Sequence, residues 1–173
     1  MFAVAATGLA EMVLEVVQLL TFQALHGTAY TGVGLLVTAF MGGLAVGSLA
    51  GRRWVSLPGR ALAVVLAALA VYAGGLAGWL ALWGTVVIVP PWGFALLVAL
   101  SGMLGGVVFP LAIAEMERVE MPTAAGRLYA VDLVGGCVGA LFGGVVGVPL
   151  LGIPATLGVV ALIALTGAVG LQV

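Results

Sequence analysis

Apolar residues run along this chain in blocks of about 20, each closed by a short cluster of glycine, proline or charge, and no period-2 alternation of a half-exposed strand competes with them. The first block extends from about Phe2 to Leu25 and closes at His26-Gly27-Thr28. It has no basic leader and carries acids, so it reads as a span and not as a signal peptide. The second runs from about Tyr30 to Gly51 and stops at Arg52-Arg53. After the turn Ser56-Leu57-Pro58-Gly59-Arg60, a third goes from about Ala61 to Trp83. Pro90-Pro91 precede the fourth, about Trp92 to Ala114, because proline is tolerated in a first helical turn, where its missing N–H has no partner to lose. The segment Glu115 to Arg127, with Pro122 inside it, is the most water-seeking part of the chain. The fifth block covers about Leu128 to Val148, the run Pro149 to Pro154 makes a turn, and the sixth spans residues 154–172. The pattern predicts an all-α integral membrane protein: one membrane domain over residues 1–173 with six transmembrane helices.

Composition narrows the field further. Of 173 residues, 64% are hydrophobic and 6% charged, and the mean hydropathy is +1.37, far from the roughly quarter-charged make-up of a water-soluble domain. Five arginines, no lysine and six acids leave no basic surface for a phosphate backbone, which argues against nucleic-acid binding. A single Cys137 and a single His26 exclude an internal disulfide, a CxxC site and a His-rich metal centre built by this chain alone. No nucleophile-and-base pair is visible, so catalytic residues, a metal and a cofactor are not expected, nor is enzyme activity.

The arginines also orient the chain. Arg52, Arg53 and Arg60 lie in the second-to-third connection and Arg118 and Arg127 in the fourth-to-fifth, while the other three connections carry none. By the positive-inside rule both charged loops face the cytoplasm of a cell (inner) membrane, and so do both termini. Trp83 and Trp92 bracket an outer loop, at the depth that indoles prefer.

Gly43, Gly47 and Gly51 recur every four residues on the second block, and Gly135, Gly139, Gly143 and Gly147 on the fifth. Such spacing stacks them on one helix face and lets a neighbouring backbone approach, which makes these two helices the expected central packing elements. Gly74 with Gly78 and Gly102 with Gly106 are shorter versions. Gly42-Gly43 and Gly135-Gly136 on helices of opposite direction suggest two inverted three-helix repeats, half of a major facilitator fold. Pro110 is expected to kink the fourth helix, either as a static bend or as a gating hinge.

Ionisable groups inside spans are where function is expected. Glu11 and Glu15 sit four residues apart on the first helix, Gln18 continues their face, and Asp132 lies about one turn into the fifth. Two carboxylates stacked on one helix repel each other and are costly to desolvate, so they suit proton exchange or cation binding, and Asp132 joins them if the two helices are neighbours. The competing reading makes each a neutral acid bonded to a nearby backbone. His26, Tyr30 and Tyr129 read as headgroup-level anchors, and Glu115, Glu117 and Glu120 with Arg118 as a solvated charge run.

Several stretches resemble a family. Glu15-Val16-Val17-Gln18, Gly27-Thr28-Ala29-Tyr30 and the run Ala39 to Ser48, followed by arginines, look like the start of the membrane domain of fused major-facilitator/spermidine-synthase-like proteins. The stretches Gly126 to Gly135 and Leu150 to Thr156 are similar to its later helices. Gly47, Gly51, Arg52, Arg53, Gly59 and Arg60 also look like the major facilitator loop motif without its acidic residue, and serve equally as a plain positive anchor. The chain departs at Val17-Gln18, where the family has an aromatic and an arginine, and at Asp132, where it has asparagine. No nucleotide-binding glycine loop of the synthase domain occurs, so its chemistry is not implied. The resemblance implies a half-sized carrier, paired as a homodimer, for a cationic (polyamine-like) or proton-coupled substrate. The alternative is a non-catalytic membrane subunit or anchor of a larger complex. The expected partners are therefore the lipid bilayer and either a second copy or other membrane subunits.

Overall fold

The computed structural model describes residues 2–27, 30–55, 58–83, 89–117 and 124–170. Six helices follow in order: α1 (Phe2–His26), α2 (Tyr30–Gly51), α3 (Pro58–Trp83), α4 (Pro91–Glu117), α5 (Ala124–Leu141) and α6 (Ile153–Val169). A 3-10 turn at Arg52–Trp54 extends α2, and a π-helical stretch, Phe142–Leu151, extends α5. There is no strand among the described residues, and the all-α class holds. Five helices, counting α5 with its extension, are long and apolar enough to cross a membrane; α6 has 17 residues. Arg118, Glu120 and Pro122, together with Thr28, Ala29, Ser56, Leu57 and the Trp83 side chain, lie outside the described residues.

Three boundaries differ from the sequence reading. Pro58-Gly59-Arg60 form the first turn of α3 and not a loop, because proline costs nothing where the N–H needs no partner. Helix α4 runs on through Pro110 to Glu117, carrying Glu115 into the helix. The turn expected at Pro149 is a π-helix to Leu151, since proline cannot bond to the carbonyl four residues back and the wider turn absorbs that loss. The chain reverses only at Gly152, whose φ of +81° suits glycine alone and whose N–H reaches the Val148 carbonyl at 3.0 Å. Gly27, at φ +79°, ends α1 in the same manner, with its N–H on the Gln23 carbonyl at 2.9 Å.

Packing divides into pairs. Helix α2 lies on α4, α5 on α1, and α3 on α6, while α1 also touches α4 and α6 and α4 touches α3. The glycines set the first two contacts. A Cβ at Gly43 or Gly47 would strike the backbone of Ala99 or Met103, and one at Gly51 would lie 2.7 Å from Pro110 Cγ and 2.9 Å from the Val107 carbonyl. On α5, Gly135 and Gly139 meet the backbones of Ala5 and Leu9, and Gly143 meets Val13. Glycines answer from the facing helices: Gly102 and Gly106 on α4 against the Phe40 and Leu44 carbonyls, and Gly8 on α1 against Asp132. Both pairs are parallel, because residue numbers rise together along each seam.

The expected central role of α2 and α5 is corrected here. In their spanning windows only 22% and 28% of residues are buried, against 61% for α1. A glycine ladder admits one close neighbour on one face, and leaves the rest of the helix outward. The outward faces carry Leu35, Met41, Val46 and Leu49 on α2 and Leu133, Val134, Val138 and Leu141 on α5, an apolar exterior that suits lipid. The interior is filled from α1, α3 and α6 by Val13, Leu14, Leu69, Leu157 and Val160. Two threonine hydroxyls inside the bundle bond their own helix: Thr7 and Thr21 donate to the Ala3 and Val17 carbonyls, each at 2.7 Å.

Candidate functional site

Two polar centres lie within the bundle, and α1 contributes to both. At the first, Glu11 and Asp132 line one cavity of about 280 Å³, with Thr7 from α1, Ser48 from α2, Phe109 from α4 and Tyr129 from α5. Each acid stands where a facing helix has no side chain. The Glu11 carboxyl lies against Gly105 of α4, in the space a Cβ would take. Asp132 Oδ1 lies against Gly8 of α1, 2.6 Å from the position of a Cβ there. Glu11 Oε1 is buried and has no hydrogen-bond partner. Asp132 is half-buried, and the Tyr129 ring meets Phe109 edge-on with centroids 6.5 Å apart.

The cavity occupies the charged end of the bundle. The seams run α1 parallel to α5 and α2 parallel to α4, so the starts of α1 and α5 and the ends of α2 and α4 share one end. Arg52, Arg53, Arg60 and Arg127 are at that end too, and Glu115 of α4 comes close to Gly59 of α3.

At the second centre Gln18 bridges three helices. Its Nε2 donates to the Tyr72 hydroxyl at 2.6 Å, and its Oε1 accepts from Ser101 Oγ at 3.1 Å. Tyr72 in turn donates to the Leu97 carbonyl at 2.8 Å. Gln18 and Ser101 are buried and bonded, which ties α1, α3 and α4 together, and Gln18 is not in the lining of the acid cavity. Seven residues separate Glu11 from Gln18, about 10 Å along a helix, so a shared face does not become a shared site. Glu15, between them, is half-buried and does not line the cavity.

The remaining candidates are structural neighbours. Gly43, Gly47, Gly135, Gly139 and Gly143 make the seams, and Pro110 rests on Gly51. His26 stacks on Phe22 at 4.7 Å and meets Phe94 edge-on at 5.6 Å, with both ring nitrogens buried and unbonded. Tyr30 and Cys137 are exposed. Among the described residues no group of three or more His, Cys, Asp or Glu is placed to hold a metal. Sequence reasoning missed Gly8, Gly105, Thr7, Ser48 and Phe109 at the cavity and Tyr72 and Ser101 at the bridge. The signal available for the glycines was the small pair Thr7-Gly8, answered by Ser101-Gly102 on the fourth helix.

No protein-family model, curated protein or solved structure matches this chain.

Proposed function

We propose that the protein is a small membrane carrier for a cationic or proton-coupled substrate, that Glu11 and Asp132 are its binding residues, and that it works as a homodimer of six-span halves. The observation that carries this reading is the cavity shared by two acids from different helices, one of them with a buried, unpartnered oxygen. A carboxyl kept inside a bilayer-facing bundle without a bonding partner is a cost that a binding role explains. The reading places the charged end in the cytoplasm, together with both termini.

Inverted three-helix repeats belong to the same proposal, and the seams support them. Ala5, Leu9 and Val13 stand one constant interval before Ala99, Met103 and Val107, and Gly43, Gly47 and Gly51 stand another constant interval before Gly135, Gly139 and Gly143. Exchanging α1 with α4, α2 with α5 and α3 with α6 turns one seam into the other. Membership of the major-facilitator/spermidine-synthase-like group, and with it a polyamine-like substrate, rests on the sequence resemblance alone.

The test is uptake into liposomes containing the full chain. An outward proton gradient is expected to drive labelled n-butylamine, used as a cation probe, into wild-type liposomes faster than into protein-free ones. Glu11→Gln and Asp132→Asn are expected to lose that uptake while unfolding as wild type does. Uptake unchanged in both variants would overturn the assignment.

The second reading, a subunit that docks other helices, is favoured by Gly34 and Gly42 on α2 and Gly75 and Gly78 on α3, where an added Cβ would meet nothing within 4 Å. Native mass spectrometry after gentle extraction separates the two: other polypeptides in fixed ratio support the subunit, a homodimer the carrier.

A further inference from the structure

We infer that the cavity between Glu11 and Asp132 takes organic ammonium ions and holds a constant positive charge of two, so that each ammonium group entering it displaces one proton. This rests on the carrier reading above and adds the chemistry of the ligand and its coupling.

Charge comes first. Two acids line the cavity, and among the described residues no Lys, Arg or His does. Glu11 shares the lining with Gly105 and Phe109 from α4, Asp132 and Tyr129 from α5, and Ser48 from α2, none of them a cation. On its own helix the nearest ionisable group is another acid, Glu15. Uncompensated carboxylates in a low-dielectric interior are too costly to persist, so the empty site carries its balance as protons on the acids. A ligand that replaces those protons has to bring equal charge. The exchange is simple: an ammonium ion enters from water, one carboxyl releases its proton to water, and an ion pair remains, with no covalent bond to carbon formed or broken.

The walls specify the kind of cation. Val4, Leu44 and Val108 provide alkyl contacts, and Phe109 and Tyr129 bring two aromatic rings, a kind of group that attracts ammonium, to the lining. A bare divalent ion would want about six or more oxygens around it. At about 280 Å³ the cavity lies just below the roughly 300–1,000 Å³ of sites for drug-sized ligands, which limits the occupant to a small molecule. The unpartnered Glu11 oxygen supplies the acceptor for an N–H that the protein itself leaves unused.

Proton counting tests this. The full chain in lipid nanodiscs is titrated with n-butylamine, diaminobutane, butanediol and sodium chloride, by calorimetry in two buffers of different ionisation enthalpy. The expected release is about one proton per butylamine and about two per diaminobutane, with no binding of butanediol or sodium. Glu11→Gln and Asp132→Asn, each checked for a wild-type thermal transition, are expected to bring the diamine count to about one and to weaken binding at least about tenfold. Equal counts for the two amines, a count of zero with binding, or equal displacement by sodium overturns the inference. If no amine binds while the liposomes transport another solute, the ligand assignment falls and the carrier reading stands. If the amines bind with the expected counts and no flux is seen, the carrier reading falls and the exchange stands.

Discussion

The α2–α4 and α1–α5 seams share one backbone design and differ in what they hold. In each, three glycines four residues apart on the outer helix meet the backbone or side chain of every fourth residue of the inner one, and a glycine on the inner helix accepts a carbonyl in return. At the α2–α4 seam the carbonyl over Gly102 belongs to Phe40, whose ring is buried with Phe22, Leu36, Phe94 and Val98. At the α1–α5 seam the carbonyl over Gly8 belongs to Asp132, whose carboxyl lines a cavity. A similar replacement recurs one turn away: Glu11 on α1 corresponds in register to Gly105 on α4, and the acid lies against that very glycine. The comparison teaches that close approach of the helices is a matter of glycine spacing, whereas the polarity of the space between them is a matter of which seam carries an acid at the open position.

The largest effect expected is at Glu11. Glu11→Gln should cut flux of a cation probe by about a hundredfold, equivalent to about 2.7 kcal/mol, with little change in unfolding, because the amide fills the same space without the charge. Transport assays beside thermal unfolding check this. Next come the seams themselves. Gly47→Ala and Gly139→Ala should each destabilise by about 1–3 kcal/mol, since the new methyl has to push a carbonyl of Met103 or Leu9 aside. Equal losses in steric-trapping or denaturant measurements would sharpen the comparison; a loss at one seam only would break it. Gln18→Leu removes two hydrogen bonds while Ser101 keeps the Val98 carbonyl and Tyr72 the Leu97 carbonyl, for about 1–2 kcal/mol of stability and little change in the proton count on ligand binding. The smallest effect is expected at Glu15, where a change to glutamine should alter flux less than about threefold, because that side chain lies outside the cavity.

Much of this was legible in the chain. Helices were, because long apolar runs closed by Arg52-Arg53 or Pro90-Pro91 leave a single economical reading. The glycine ladders were visible too, but not their partners: spacing says that something approaches Gly47 closely, and only the fold says that it is Met103. Hence α2 and α5 were expected at the centre, although a ladder on one face is equally compatible with a helix laid on the outside. Grouping Gln18 with the acids followed angular position and ignored axial distance, and two turns along α1 the neighbours are Tyr72 and Ser101 instead. Gly8 and Gly105 were passed over because neither belongs to the strong four-residue ladders, and each matters through an acid on another helix. The π-helix from Phe142 had only Pro149 to announce it, and a proline signals a break more often than a widened turn.

The central claim is that Glu11 and Asp132 share a space open to a ligand, and chemical labelling tests it without relying on transport. A hydrophobic carbodiimide reacts with protonated carboxyls inside a membrane. With the full chain in liposomes, and the modified residues mapped by mass spectrometry, Glu11 and Asp132 should be labelled, diaminobutane should protect both, and n-butylamine should lower the labelling. Labelling of neither, or labelling that butylamine leaves unchanged, would contradict the account.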